Sequence, residues 1–208
     1  GFIRLMIAGQ SACRPFSKDR AGITLGEGAG VMILESREQA KRRGVKPQGF
    51  LAGYGNACDG YHATAPEPHG RGMQKAVKEA LRQAAIVPAA LAFINAHGTG
   101  TLDNDAAEAF VFGELLPQVP VSATKSYTGH ALGAAGAIEA VITLLCLNRG
   151  RIPGANFRDP QPDPSLPVSP VWEAQPIAAN RRFALSDSLA FGGCNAAIIL
   201  EKEETDAR

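Results

Sequence analysis

Hydrophobic residues along the chain follow two patterns, one with helical spacing and one of short continuous runs. Between positions 71 and 85 the apolar residues recur every three or four positions, which predicts an amphipathic helix. These residues are Met73, Ala76, Val77, Ala80, Leu81 and Ala84. Short apolar runs elsewhere predict strands, the first of them buried. They cover 31–34, 50–54, 91–96, 119–122, 182–184 and 196–201. Because strands alternate with helices, we expect an α/β fold.

Three further helices are predicted from their ends and composition. Ser36 is a suitable N-cap for a short charged helix, and Asp103 or Asp105 is a suitable N-cap for the next one. The third is long and apolar. These helices are expected over 37–43, 106–116 and 134–147.

Composition and charge narrow the class of protein. With 45% hydrophobic and 20% charged residues in 208, the chain has the composition of a soluble globular domain and is not expected to be disordered. A formal net charge of +1 gives no reason to expect a nucleic-acid partner or a membrane surface. No apolar run is expected to approach the length needed to span a bilayer. The longest candidate, over 131–147, contains Glu139 and predicts a buried helix.

The cysteines indicate the compartment. Cys13, Cys58, Cys146 and Cys194 show no paired spacing, so neither a disulfide framework nor a zinc site is expected. We therefore expect a reducing, cytoplasmic location. Cys58 and Cys146 are predicted to be buried as small hydrophobic residues.

The two ends of the chain differ from its middle. The first residues lack an initiator Met and the features of a signal peptide, which indicates a truncated or processed start. We treat 1–208 as one domain, with a truncated lead-in over 1–13 and a charged tail over 202–208 that we expect to fray.

Three polar, glycine-containing loops are the candidates for function. They read NAHGTGT over 95–101, SATKSYTGH over 122–130 and FGGCN over 191–195. The first two follow predicted strands, where α/β sheets usually build their sites, and the third joins two strands. Taken singly, each also has an ordinary structural explanation: a histidine in a turn, a solvated lysine and a hairpin.

Metal and phosphate sites are weaker interpretations of the same residues. His97 and His130 come from separate loops, with no carboxylate or cysteine at ligand spacing, so a metal site is not expected. The HGTGT run lacks the common phosphate-binding fingerprints. The GEGAG run over 26–30 also departs from G-x-G-x-x-G, and we interpret it as close packing of a strand against its neighbours.

The order and wording of these runs resemble the β-ketoacyl synthase family, the elongating type of thiolase-like condensing enzymes. The resemblance is carried by NAHGTGT, ATKSYTGHALGAAGAIEA and LAFGGCNAA, and by RPFSKDRAGITLGEGAGVMILE and CDGYHATAP, so that it extends over about 14–201. It implies the C-terminal half of a five-layered α/β/α/β/α sandwich. This half would contribute one mixed sheet with helices on its faces.

The resemblance also assigns roles to individual residues. It makes His97, His130 and Lys125 catalytic. It gives Glu139 and Asn95 a supporting role, with a structural monovalent cation near them as an option and no other cofactor. It places the pantetheine arm at Thr99 and Thr101, and the acyl gate at Phe191 and Leu189.

Two departures from the family pattern stand out. The nucleophilic cysteine of the family lies upstream of the resembled region and none of the four cysteines matches it, so this chain alone is expected to be inactive. The family often reads N-S-F-G-F-G-G-T-N where this chain reads D-S-L-A-F-G-G-C-N from Asp187. Leu189 thus replaces a gating Phe and Ala190 a flexible Gly, and a different acyl substrate or a different gating motion is expected.

The function implied by the resemblance is that of a transferase, a 3-oxoacyl-ACP synthase. Such an enzyme condenses acyl-ACP with malonyl-ACP, with loss of carbon dioxide, in fatty-acid, polyketide or aryl-polyene synthesis. Its implied partners are the acyl carrier protein, the two thioesters and a second subunit in a homodimer or a ketosynthase-type heterodimer. The alternative is a non-catalytic partner subunit of the chain-length-factor type. A half alone is expected to expose apolar surface.

Overall fold

The computed structural model describes residue 4, residues 7–9 and residues 11–203, so most of the predicted charged tail lies outside the described residues. The helices are α1 (Arg37–Arg42), α2 (Arg71–Ala84), α3 (Leu102–Leu115), α4 (Lys125–Thr128) and α5 (Ala135–Arg149). The strands are β1 (Phe50–Cys58), β2 (Leu91–Asn95), β3 (Val121–Ser122), β4 (Arg151–Ile152), β5 (Gln175–Pro176), β6 (Phe183–Ala190) and β7 (Cys194–Glu201). Single 3₁₀ turns cover Pro88–Ala90 and Leu132–Ala134.

A mixed sheet of five strands, in the order β1-β7-β6-β2-β3, forms the centre of the fold. Strand β2 runs parallel to both β3 and β6, whereas β7 runs antiparallel to both β6 and β1. The β6–β7 hairpin closes at Phe191–Gly193, as the glycine turn predicted. Strands β4 and β5 form a separate small pair. The predicted α/β class and mixed sheet are confirmed.

Apolar side chains form a separate cluster on each face of the sheet. Helices α2 and α3 cover one face, where Met73, Phe112 and Leu185 belong to the same buried cluster. Helix α5 covers the other face, where Leu147 packs with Phe93 and Leu200. The helical spacing that predicted α2 is the buried face of that helix. Helices therefore lie on both faces, as the resemblance implied.

The predicted buried strand over 31–34 is wrong. Val31 and Ile33 are 81% and 89% exposed, and this segment forms no strand. The glycine run before it packs closely, as expected, because a Cβ on Gly30 would lie 2.7 Å from backbone atoms of Ala137 and Ile138 in α5. Beyond Gly30 no described strand lies alongside to bury the apolar side chains, so the run remains exposed.

Helix α3 begins four residues earlier than predicted and without the predicted cap. Thr101 occupies the N-cap position, and neither Asp103 nor Asp105 caps the helix. The carboxylate of Asp105 instead accepts hydrogen bonds from the backbone N–H of Phe16 (2.7 Å) and Gly100 (3.1 Å). The short helix α1 does begin after Ser36, whose hydroxyl accepts from the N–H of Gln39, as predicted.

The helical stretch Leu132–Arg149 is longer than the apolar pattern predicted. By length and composition it could cross a membrane, and it is the one such helix in the part of the chain that the structure describes. The expectation that no run has this length is therefore wrong, although core helices of soluble proteins can have the same length and composition. One face of α5 is buried on the sheet, whereas Leu145 on another face and Leu132 in the preceding 3₁₀ turn are exposed. The predicted burial thus holds for one face only.

Candidate functional site

The parallel pairing of β2 with β3 brings the first two candidate loops together. Asn95 and Ser122 are register partners at the carboxyl ends of these strands, so the loops that follow start side by side. His97 in the first loop is buried and His130 in the second is half-buried. Their ring centroids lie 5.2 Å apart, with the rings edge to face. Two histidines that are 33 positions apart in the sequence (130 minus 97) thus form one pair.

The segment before Gly30 holds the second histidine in place. The backbone N–H of His130 donates to the carbonyl of Thr24 (2.7 Å), and the N–H of Gly26 donates to the carbonyl of His130 (3.1 Å). Leu25 and His130 accordingly form a parallel bridge. The glycine-rich segment therefore acts as a support for the site.

Lys125 is buried beneath the first histidine. Its Nζ donates to the carbonyl of His97 (2.6 Å), to Nδ1 of the same residue (3.1 Å) and to the carboxylate of Glu139. A lysine ammonium has three N–H donors, so these contacts satisfy all of them. The ordinary interpretation of Lys125 as a solvated amine does not hold.

The hydrogen bonds fix the tautomer of each histidine. Nδ1 of His97 accepts from Lys125, and Nδ1 of His130 accepts from the N–H of Leu132 (3.2 Å). A neutral imidazole whose Nδ1 accepts a hydrogen bond carries its proton on Nε2. Each ring therefore offers an Nε2–H donor.

Burial and charge keep both rings neutral. Burial, followed by the positive charge of Lys125 and then by His130, lowers the pKa of His97 well below its usual value. Burial and Lys125 lower the pKa of His130 to about 4. Both imidazoles are thus uncharged around neutral pH and donate hydrogen bonds without carrying charge.

Asn95 ties together the elements around Lys125. Its Nδ2 donates to Thr143 Oγ1 (3.0 Å) and to the carbonyl of Glu139 (3.3 Å), both in α5. Its Oδ1 accepts from Thr124 through both the hydroxyl (3.1 Å) and the backbone N–H (3.4 Å). Burial raises the pKa of Glu139, and this effect outweighs the opposing influence of Lys125.

These contacts bear on the expected monovalent cation. The Oδ1 atom of Asn95 already accepts two hydrogen bonds, whereas one oxygen of Glu139, Oε2, is buried and receives none from the described residues. One free carboxylate oxygen is a partial donor set for a monovalent cation, so this cation stays a prediction. Within the described ranges, no group of three His, Cys, Asp or Glu residues could hold a metal ion.

Thr99 and Thr101 lie in the same loop as His97. Their hydroxyl oxygens are 2.9 Å apart, which makes them hydrogen-bond partners. The glycines between and before them, Gly98 and Gly100, have φ angles of 45° and 73°, in the left-handed region that favours glycine. The loop thus carries two hydroxyls directly after His97 in the sequence.

The two predicted gate residues lie at the β6–β7 turn. Leu189 is the second-last residue of β6 and packs, half-buried, against the core beneath α2 and α3. Phe191 lies in the turn itself, with 48% of its side chain exposed. Their role as a gate stays a prediction.

A set of buried polar residues in α3 was not identified from the sequence. Glu108 Oε2 accepts from the N–H of Gly98 (2.8 Å) and from Asn104 Nδ2 (2.5 Å). Asp105 holds the N–H of Gly100 in the same loop, and burial raises the pKa of Asp105 to about 6. The available signal was the spacing: Asp105 and Glu108 are three positions apart directly after the HGTGT run, on one side of a helix.

None of the four cysteines has the environment of an activated nucleophile within this chain. Cys13 Sγ donates to the carbonyl of Thr99 (3.1 Å), and burial raises the pKa of this thiol to about 12. Burial also raises the pKa of Cys146. Cys58 and Cys194 are exposed register partners on β1 and β7. The predicted burial of Cys58 is wrong, because it is the last residue of the edge strand β1.

Comparison with known proteins adds independent observations. The family description "Beta-ketoacyl synthase, C-terminal domain" matches residues 48–157. The "3-oxoacyl-[acyl-carrier-protein] synthase 2" of Synechocystis sp. is 42% identical over 196 residues, which cover 92% of this chain and 46% of the relative. The chain therefore spans about half the length of the curated relatives it matches.

Solved structures agree in fold. The ishigamide ketosynthase/chain length factor superposes with a TM-score of 0.90 at 36% identity, over 98% of this chain and 50% of that one. A type II polyketide ketosynthase in complex with its acyl-carrier protein also gives a TM-score of 0.90, at 31% identity, over 98% of this chain and 52% of that one. The two-faced mixed sheet described above is shared with both.

Proposed function

The chain belongs to the β-ketoacyl synthase family and corresponds to the C-terminal half of its members, and we propose that it supplies the histidine part of a site for decarboxylative Claisen condensation. The reaction joins acyl-ACP and malonyl-ACP to give 3-oxoacyl-ACP, carbon dioxide and free carrier. The names of its relatives, 3-oxoacyl-[acyl-carrier-protein] synthases, support this reaction class.

The observation that carries the proposal is the pair of neutral Nε2–H donors on His97 and His130. When a malonyl thioester loses carbon dioxide, the electron pair of the breaking C–C bond moves into an enolate, whose oxygen becomes negative. Preformed N–H donors stabilise such an oxygen strongly in a site with little water. Neutral imidazoles fit this role since they donate without first taking up a proton.

Lys125 is proposed to act through the histidines. Its hydrogen bond to Nδ1 holds the His97 proton on Nε2, and its charge lowers the pKa of both rings. Its link to Glu139 anchors this arrangement on α5. We therefore assign Lys125 a positioning role, with Glu139 and Asn95 as its support.

Substrate binding is proposed at the adjoining loop. The pantetheine arm of the carrier contains two amide groups, and the hydroxyls of Thr99 and Thr101 can hydrogen-bond to them. The positive-φ glycines at 98 and 100 let the backbone turn tightly around these hydroxyls.

The acyl group has to be held by a cysteine outside this chain. A thiol with a pKa of about 12, such as Cys13, is protonated around neutral pH and is a poor nucleophile. We propose that the nucleophile lies in the N-terminal half that the longer relatives possess. The proposed partners are an acyl carrier protein and a second ketosynthase-type subunit, since relatives are solved with both. A cytoplasmic location stays a prediction.

Malonyl decarboxylation in the purified full-length protein tests the proposal. His97→Ala and His130→Ala are each expected to slow the release of carbon dioxide from malonyl-ACP by about 10²–10³-fold, the usual loss for one oxyanion donor. His62→Ala is the matched control, because His62 is an exposed histidine in the loop after β1. Wild-type rates in both site variants would contradict the assignment.

The alternative is a chain-length-factor-like subunit without catalysis. It predicts that the parent protein lacks the nucleophilic cysteine in the part of its sequence before Gly1. The sequence and intact mass of the parent protein before Gly1 decide between the two. A cysteine in a small-residue turn supports a synthase, and another residue at that place supports the partner subunit. The intact His97–Lys125–His130 set favours the synthase.

A further inference from the structure

Two buried acids, Glu108 in α3 and Asp187 in β6, face each other next to the histidine pair. They are 0% and 1% exposed. Glu108 uses Oε2 for Gly98 and Asn104, as described above. Its other oxygen, Oε1, and both oxygens of Asp187 are buried, and no side-chain N–H or O–H group of the described residues donates to them. The backbone N–H of Asp187 lies close to its own carboxyl group.

The two carboxyl groups lie within hydrogen-bonding reach of each other. Two carboxylates cannot form a hydrogen bond, because an ionised carboxylate only accepts. A proton on one of the two acids turns it into a donor to the other, and the resulting O–H···O hydrogen bond satisfies two of the three buried oxygens. Buried polar groups in proteins are nearly always satisfied in this sense, so the arrangement calls for a proton.

The charges around the pair offer no cation to replace that proton. The residues that face it are Lys125, Glu139 and Asp105. Lys125 already gives its three N–H donors to His97 and Glu139. Asp105 has its own hydrogen bonds, and Arg20 lies beside it at 3.9 Å.

Both pKa values agree with a bound proton. Burial raises the pKa of Glu108 well above its usual value, and the neighbouring Asp187 and Asp105 add to this. Burial also raises the pKa of Asp187 to about 7, although contacts with Glu108 and Lys125 act in the opposite direction. The pair thus retains a proton at pH values where exposed carboxyl groups are ionised.

We propose that Glu108 and Asp187 share one proton and that this acid pair positions the turn that follows His97. Glu108 is the link, because its Oε2 holds the N–H of Gly98. Asp187 is a positioning residue that acts through Glu108. An Asn at this position would donate its amide N–H to Glu108 at every pH. In this chain the same contact depends on the proton.

The proton gives stability a defined pH dependence. The folded-state pKa of Asp187, about 7, lies above the unfolded value near 4. The contribution of the pair is therefore complete below about pH 4, and it is lost as the pH rises towards and through about 7, because the folded state holds a proton that the unfolded state has released. Asp187→Asn removes this loss, so the variant is expected to gain stability relative to the wild type as the pH rises.

Infrared spectroscopy and urea unfolding of the purified full-length protein test the shared proton without reference to activity. Near neutral pH, the carbonyl stretch of a protonated carboxylic acid is expected in the wild type and lost in Asp187→Asn. Glu108→Gln, a second variant, should lose it as well. Asp103→Asn, an exposed acid in the same helix, is the matched control and should keep it. The difference in urea midpoint between Asp187→Asn and the wild type should grow from about pH 4 to about pH 8.

Identical carboxylic-acid bands in the wild type and Asp187→Asn, or a difference in urea midpoint that does not change with pH, would overturn the proposal. The activity readout rests on the proposed function. If malonyl decarboxylation occurs, its rate should fall at alkaline pH in the wild type, and the fall should move to higher pH in Asp187→Asn. If no variant decarboxylates malonyl-ACP, the proposed function fails, while the infrared and unfolding results still decide whether the acids share a proton.

Discussion

Lys125 Nζ donates a hydrogen bond across 3.1 Å to Nδ1 of His97, and this contact determines which nitrogen of the ring carries the proton. Lysine and histidine are 28 residues apart and meet because β2 and β3 are parallel neighbours. The positive charge next to the ring also disfavours a second proton on it. One buried lysine therefore sets the tautomer of the imidazole and reinforces the effect of burial, which keeps the ring neutral.

Removal of the lysine charge should raise the pKa of the histidines. In Lys125→Met/Glu139→Gln both members of the buried ion pair become neutral, so that no unpaired carboxylate remains. The pKa of His130, about 4 in the wild type, is expected to rise part of the way to the usual 6.5, since burial, the larger cause of its shift, remains. An NMR titration of the imidazole signals measures this change.

The exposed Lys75 provides the control for that titration. Lys75→Met removes the same charge from the outer face of α2 and should leave both histidine pKa values unchanged. An unchanged pKa of His130 in the double variant would mean that burial alone keeps the ring neutral. The assigned role of Lys125 would then be wrong.

Close packing of the glycine run against α5 gives a prediction about stability. A Cβ on Gly30 would come within 2.7 Å of helix backbone, so Gly30→Ala should lower the free energy of unfolding by about 1–3 kcal/mol, as overpacking does. Gly133→Ala is the matched control, because its Cβ would meet no atom within 4 Å. Urea unfolding at fixed pH compares the two. Equal stability of both variants would show that Gly30 does not need the space.

Helix α2 and the loop that carries His97 could be predicted from the sequence for physical reasons. The spacing of Met73, Val77 and Leu81 predicts a helix with one buried face. The residues that form this face are close together in the chain, so a local pattern is enough to identify it. The strand that ends at Asn95 is fully buried and so appears as a continuous apolar run. Local pattern and local burial agree in both cases.

The segment over 31–34 shows where this reasoning fails. An apolar, β-branched run predicts a buried strand, but a strand also needs a neighbour, and the run is exposed here. The two acids of the site, Glu108 and Asp187, were not identified from the sequence for a related reason. Glu108 and Asp187 are distant in sequence, and only the tertiary structure shows that Oε1 of Glu108 and both oxygens of Asp187 are buried without another side-chain partner among the described residues. A local sequence pattern does not show which distant elements pair, so neither the exposed run nor the acid pair could be predicted from it.

Leu189→Phe should change which acyl chains the full-length protein accepts. The side chain lies near the end of β6 beside the turn that carries Phe191, so the larger Phe is expected to change the shape of the proposed acyl entrance. We expect a changed order of preference among acyl-ACP substrates of different length. Malonyl decarboxylation, which we assign to His97 and His130, should stay within about 3-fold of the wild-type rate, a difference of less than 1 kcal/mol in barrier. Leu51→Phe, at an exposed position of β1, makes the same substitution away from the turn and should leave the preference unchanged. An identical chain-length profile in Leu189→Phe and the wild type would remove Leu189 from the gate.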